Sequence, residues 1–131
     1  MKSEELNKEI CSYLLDLGIS SKLKGFTYIE DSIYNLIDNN IRIIKIKKVY
    51  NNLAIKYNTT SDSIERDIRY AIYKGEKNED YDIAYDIFRN SLDVDNSKKT
   101  NKIFITTLVN YIKYELYNHY WLKICIGIYL Y

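Results

Sequence analysis

Residues 45–73 read KIKKVYNNLAIKYNTTSDSIERDIRYAIY, and the placement of apolar residues in this stretch decides the fold. Ile46, Val49, Tyr50, Leu53, Ala54 and Tyr57 recur at the spacing of a single helix face, which predicts an amphipathic helix over about 45–57. The short polar break Asn58-Thr59-Thr60 follows. A second helix is predicted from about Ser61 to Tyr73. Thr60 or Asp62 can cap it, and Glu65 stands three residues after Asp62, as a capping box requires. Two helices separated by so few residues form a helix-turn-helix, whose second helix enters the major groove when the motif binds DNA.

The second helix divides cleanly by angle. At about 100° per residue, Ile64, Ile68, Ala71 and Ile72 share one side. Asp62, Arg66, Arg69 and Tyr73 fall opposite, with Glu65 on the flank. The apolar side is expected to dock on the preceding helix and leave the arginines outward. An arginine fork can donate two bonds to guanine O6 and N7, and a glutamate can accept from cytosine N4. Glu65, Arg66 and Arg69 are therefore the candidate base-reading residues. A plainer arrangement is open to the same residues: Glu65 and Arg69 are four apart and can form a surface ion pair worth a few tenths of a kcal/mol.

Outward from this stretch, four more helices are predicted. Leu6, Ile10, Leu14 and Leu17 mark one over about Ser3–Leu17, ended by Gly18. Phe26, Ile29, Ile33 and Leu36 mark another over about Leu23–Ile37. An acidic segment, about Tyr81–Leu92, is the fifth in chain order, and the sixth is expected over about Asn101–Asn118 with Phe104, Leu108, Tyr111 and Ile112 inward. No internal repeat or linker is visible. The expectation is one all-α domain over residues 1–118, a six-helix bundle containing the helix-turn-helix. Residues 119–131 are left as an apolar tail of unassigned role.

The chain has 131 residues, enough for one core. It has no Pro and only four Gly, which favours helices joined by polar loops. The abundance of Tyr, Asn, Ile and Lys has the look of AT-rich coding, so lysine content alone is a weak signal. Charge is distributed in blocks along a nearly neutral chain. Residues 41–75 hold eight basic and three acidic groups, and residues 76–96 hold two basic and seven acidic. A second basic block, with five basic groups and one acidic, covers residues 97–131. Solvated faces also produce such blocks. Phosphate contacts supply most nonspecific affinity for DNA. Candidates are Lys24 at the start of the second helix, Lys45, Lys47 and Lys48 at the start of the third, and Lys56 at its end. Thr60, Ser61, Ser63 and Tyr73 complete the set around the fourth.

Other chemistry is poorly supported. Cys11 and Cys125 make neither a metal spacing nor a disulfide framework and are read as reduced thiols. The single His119, with no Gly-rich phosphate loop and no Ser/His/Asp pattern, argues against an enzyme. Asp80, Asp82 and Asp86 do not fit a calcium loop and read as a helix start. No cofactor and no metal are expected. The N-terminus has no apolar run of a signal peptide, and Trp121–Tyr131 is too short to span a bilayer. A cytoplasmic protein without a membrane partner is expected.

The stretch Tyr50–Ile72 resembles the helix-turn-helix of the effector domain of stage zero sporulation protein A. The likeness is carried by Leu53-Ala54, by Asn58-Thr59-Thr60, and by Ile64-Glu65-Arg66 followed by Ile68-Arg69 and Ala71-Ile72. Leu17–Phe26 and Thr100-Asn101 with Phe104 agree in place and spacing, so the resemblance covers about residues 4–118. It implies a six-helix bundle that binds short TGTCGAA-like boxes in double-stranded DNA, often as tandem dimers, and regulates sporulation genes. It also implies that Glu65 and Arg66 read bases, that Arg69 lies near DNA, and that Lys24 and Asn101 contact the backbone. The zone Lys74–Leu92 corresponds to the part that touches RNA polymerase sigma factor. The receiver domain that normally precedes this effector is not found here, so no aspartate phosphorylation switch is expected on this chain. Pairing with a second copy or with the full-length regulator is a further expectation. An alternative function is a protein-interaction module that modulates that regulator or the polymerase without reading DNA.

Overall fold

The computed structural model describes residues 3–89 and 99–130, with side chains described for 3–89 and 99–118. Six helices follow one another: α1 (Ser3–Asp16), α2 (Lys24–Asp38), α3 (Ile46–Lys56), α4 (Ser61–Gly75), α5 (Tyr81–Phe88) and α6 (Asn101–Leu130). The described residues contain no strand, and the all-α bundle expected from the sequence is the fold observed. Each apolar stripe points inward. Ile10, Leu14, Ile29, Ile33, Ile64, Ile68, Ile105, Leu108 and Ile112 are all within 1% of complete burial, and Phe104 seals them. Full burial of one such side chain is worth about 1.5–3 kcal/mol, so this shared interior, rather than helix propensity, holds the elements together.

Three helices stop in the same way. After α1, the Gly18 amide bonds to the Leu15 carbonyl at 2.9 Å and the Ile19 amide reaches Leu14 at 3.0 Å. After α2, Asn40 and Ile41 bond back to Ile37 and Leu36, each at 3.0 Å. After α3, Asn58 and Thr59 bond back to Ile55 and Ala54, at 3.4 and 2.9 Å. These are Schellman stops, which need a left-handed residue just past the helix. Gly18 takes φ +80°, and Asn40 and Asn58 take φ 50° and 53°. Asparagine tolerates that region because its short polar side chain can bond locally. A chain poor in glycine therefore ends its helices with asparagine.

α4 packs most extensively on α2 and next on α3. Gly25 makes the first contact possible. A Cβ there would lie 2.6 Å from the Ala71 Cβ and would collide with the Asp67 carbonyl. The backbone of α2 thus lies directly against α4 and fixes its depth and tilt.

Two boundaries differ from expectation. α5 ends at Phe88, and part of its expected extension to Leu92 lies outside the described residues. α6 continues without a break beyond Asn118 to Leu130, so most of the unassigned tail is backbone of one thirty-residue helix. The sequence after Asn118 is apolar at most positions in a row rather than at helical intervals, so it gives no stripe to read. No helix among the described residues is long and apolar enough to cross a membrane.

Candidate nucleic-acid interface

Local chemistry fixes the turn between α3 and α4. Asn58 supplies the left-handed stop, and two residues later Thr60 is the N-cap of α4. Its hydroxyl oxygen accepts the Ser63 amide at 3.1 Å, and its carbonyl accepts the Ile64 amide at 3.1 Å. Of the two candidate caps, Thr60 is the one used. Glu65 does not reach back as a capping box would; its carboxylate takes the Arg69 guanidinium at 2.7 Å. The Ser61 hydroxyl donates to the Asn51 side chain, which ties the start of α4 to the middle of α3.

The two sides of α4 are as the helical angles predict. Ile64, Ile68, Ala71, Ile72 and Gly75 are buried, whereas Asp62, Arg66, Arg69 and Tyr73 are exposed. Glu65 is half-buried on the flank. The plainer arrangement of Glu65 and Arg69 is therefore present: they form an ion pair on the free protein. Arg66 differs. Its guanidinium makes only a long 3.4 Å contact to the Ser63 hydroxyl, and no carboxylate pairs with it among the described residues. It is the α4 arginine with its fork open to solvent.

The sequence-derived backbone set is spread over several elements. Lys24 is the exposed first residue of α2, and Lys45 is the exposed N-cap of α3, with Lys47 and Lys48 in its first turn. Lys56 is exposed but bonded to Asp31, which also accepts the Tyr57 hydroxyl at 2.7 Å. Burial and this bond to Asp31 push the Tyr57 hydroxyl up to about 12. Tyr73 stands 59% exposed, with the Lys77 ammonium 4.8 Å from its ring centre. Thr60, Ser61 and Ser63 cluster at the start of α4.

Asn101 has a different setting. It is 8% exposed, and its amide nitrogen donates at 3.0 Å to both the Tyr50 hydroxyl and the Glu65 carbonyl. One side chain at the start of α6 thereby pins α3 and α4 together, directly beneath Glu65. Burial raises the Tyr50 hydroxyl above its ordinary value, and the bond from Asn101 partly offsets that effect.

The structure adds residues that pattern reading passed over. Tyr70 is half-exposed beside the arginines, with Lys74 over its ring at 5.5 Å. It lies about 40° from Arg66 on the helix, so the same angular count could have found it. Arg66, Arg69, Tyr70, Tyr73 and Lys99 line a shallow cavity of about 330 Å³, to which Glu76 also contributes. Lys99 is tied to Glu79 at 3.0 Å. Asp80, from the acidic cluster, caps α5 by accepting the Asp82 and Ile83 amides, so its structural role is accounted for. Among the described residues no group of three His, Cys, Asp or Glu side chains could hold a metal ion.

An outward arginine-bearing helix, a short fixed turn and a first helix rich in lysine can place hydrogen-bond donors in a major groove and cations along its walls. Comparison with known families agrees with this arrangement. The family described as sporulation initiation factor Spo0A C terminal matches residues 10–112, which include α2, α3, α4 and α5 in full.

Proposed function

The chain belongs to the Spo0A C-terminal family of DNA-binding sporulation regulators, a regulatory rather than an enzyme family, and on that premise we propose that α4 reads a TGTCGAA-like box in the major groove. The open fork of Arg66 on the outer side of α4 carries this reading. Arg66 donates two bonds to a guanine edge. Glu65 accepts from a neighbouring cytosine, and Arg69 turns from Glu65 toward the DNA as the groove closes over the pair. The Glu65–Arg69 bond is exposed and weak, worth about 0.2–0.5 kcal/mol, so exchanging it for base contacts costs little.

Backbone contacts come from Lys24, Lys45, Lys47, Lys48 and Lys56, with Thr60, Ser61 and Ser63 offering hydroxyls and Tyr73 a phenol near the phosphates. Asn101 serves the same interface from inside: it holds the peptide group of Glu65 in place, and any contact it makes to a phosphate is additional. Lys56 has to share itself between Asp31 and a phosphate. We further assign residues 1–118 to the effector unit, and to the tail 119–131, in which α6 continues as far as Leu130, the pairing of two copies or of one copy with the full-length regulator. Contact with RNA polymerase sigma factor is assigned to Lys74–Leu92.

The test is binding of the purified chain to a duplex bearing the box and to a scrambled duplex, across a salt series. Tighter binding to the box, retained at moderate salt, is the expected result. Equal and steeply salt-dependent binding to both would reduce the interface to phosphate attraction and overturn base reading.

A further inference from the structure

On the side of α3 away from its contact with α4 lies a groove of about 480 Å³ between α2, the connecting segment 39–45 and α3. Its floor is apolar: Leu36, Val49 and Leu53 are each at most 9% exposed. Its lip is apolar as well, and unusually exposed. Ile41 is 39% exposed and Ile43 is 78% exposed. Lys45, Lys48 and Lys56 also line it, and no carboxylate does. Lys56 is occupied by Asp31, whereas Lys45 and Lys48 form no ion pair among the described residues. The lip is held in place rather than loose. The Ile41 amide bonds to the Leu36 carbonyl at 3.0 Å, and the Ile41 carbonyl accepts the Lys113 ammonium of α6 at 3.3 Å.

A phosphate backbone makes use of lysines but gains nothing from Ile43 standing in water. A partner that presents both apolar side chains and carboxylates uses the apolar floor and the lysines together, while Ser32, Asn35, Asn39 and Asn52, which complete the lining, offer it hydrogen bonds. We propose that the α2–α3 groove docks an acidic, amphipathic helical segment of a partner protein. Its apolar anchors sit on Leu36, Val49 and Leu53 under Ile43, and its carboxylates meet Lys45 and Lys48. Docking by an amphipathic helix into a preformed groove of this size follows a general recognition mode. Docking itself stands independently of the DNA reading above. One consequence rests on that reading: Lys45 and Lys48 are also assigned to phosphates, so peptide and box DNA exclude each other.

The experiment pans a display library of random 14-residue peptides on the full chain. Enriched peptides are then titrated by fluorescence anisotropy against wild type, Ile43→Ser and Lys48→Glu, with box duplex binding measured separately on each protein. Enriched peptides are expected to combine Asp or Glu with Leu, Ile or Phe. Ile43→Ser, at a position too exposed to affect folding, weakens them at least tenfold and leaves duplex binding unchanged. Lys48→Glu weakens both ligands, and box duplex displaces bound peptide. Failure to enrich any peptide, enrichment of basic or uncharged ones, or equal binding to Ile43→Ser overturns the proposal. If Ile43→Ser weakens the duplex and no peptide is enriched, the groove is a nucleic-acid surface only. If peptides behave as expected but the box is not preferred over a scrambled duplex, docking stands and base reading fails.

Discussion

The inner and outer sides of α4 are built from opposite chemistry, although their residues are interleaved along one short stretch of chain. Ile64, Ile68, Ala71 and Gly75 face inward and are sealed. Arg66, Arg69 and Tyr73 face outward and are exposed, with Glu65 half-buried on the flank and paired to Arg69. The inner side carries stability because it excludes water over several contacts per residue. The outer side is almost free to vary without unfolding the protein, which suits residues whose work is recognition. The comparison teaches that stability and reading are separable on one helix, wherever no side chain crosses from one side to the other.

The largest effect is expected on the inner side. Ile68→Ala removes a fully buried side chain and should cost about 2–5 kcal/mol in urea unfolding, while the folded fraction binds the box as before. Loss of box preference without loss of stability would break the separation. Next is Arg66→Ala, which should weaken box binding by about 1–3 kcal/mol and shift the unfolding midpoint hardly at all. A smaller effect of mixed character belongs to Asn101→Ala. It removes the second bond to the Glu65 carbonyl, which keeps the Arg69 amide of its own helix, and the bond to the Tyr50 hydroxyl, and should cost about 1–2 kcal/mol of stability. It should also blur box preference, since α6 no longer ties α3 to α4 beneath Glu65. Thr60→Ala removes the α4 cap and should cost about 1 kcal/mol, and it should lower binding to box and scrambled duplex alike, since the hydroxyl assigned to a phosphate goes with the cap.

The smallest effect is confined to alkali. The Tyr57 hydroxyl ionises at about 12 in the folded chain, above its ordinary value of 10.0. Between those values the unfolded chain has released the proton and the folded chain has kept it, so stability falls as pH rises. The contribution is complete below about pH 10. Tyr57→Phe should flatten this part of an unfolding-against-pH curve and leave box binding at neutral pH unchanged.

Much of this division was legible in the sequence because both sides of α4 follow one period. The stripe at 64, 68, 71 and 72 located the core side, and the arginines followed by subtraction. Helix starts and stops from α1 to α4 came within one or two residues, since Gly18 and the Asn58-Thr59-Thr60 turn mark backbone requirements. Asn101 was legible through the resemblance as a backbone contact at a helix start, but not as a buried residue. Its burial depends on Tyr50 and the Glu65 carbonyl, distant in sequence, which no local pattern encodes. The true length of α6 escaped because periodicity fails in a nearly continuous apolar run. The α2–α3 groove escaped because Ile41 and Ile43 lie between helices, where an apolar residue has no stripe to join.

The two asparagine stops have a consequence outside the folded structure. In the denatured ensemble, asparagine explores less of backbone space than glycine does, so fixing Asn40 and Asn58 surrenders less chain entropy than fixing glycines there. Against this stands the strain of a left-handed turn, about 1 kcal/mol for each residue with a Cβ. The chain thus exchanges disorder it would otherwise lose on folding for tension it retains once folded. Warming magnifies the entropic side of that exchange and leaves the tension unchanged, so asparagine stops grow relatively more favourable than glycine ones as temperature rises.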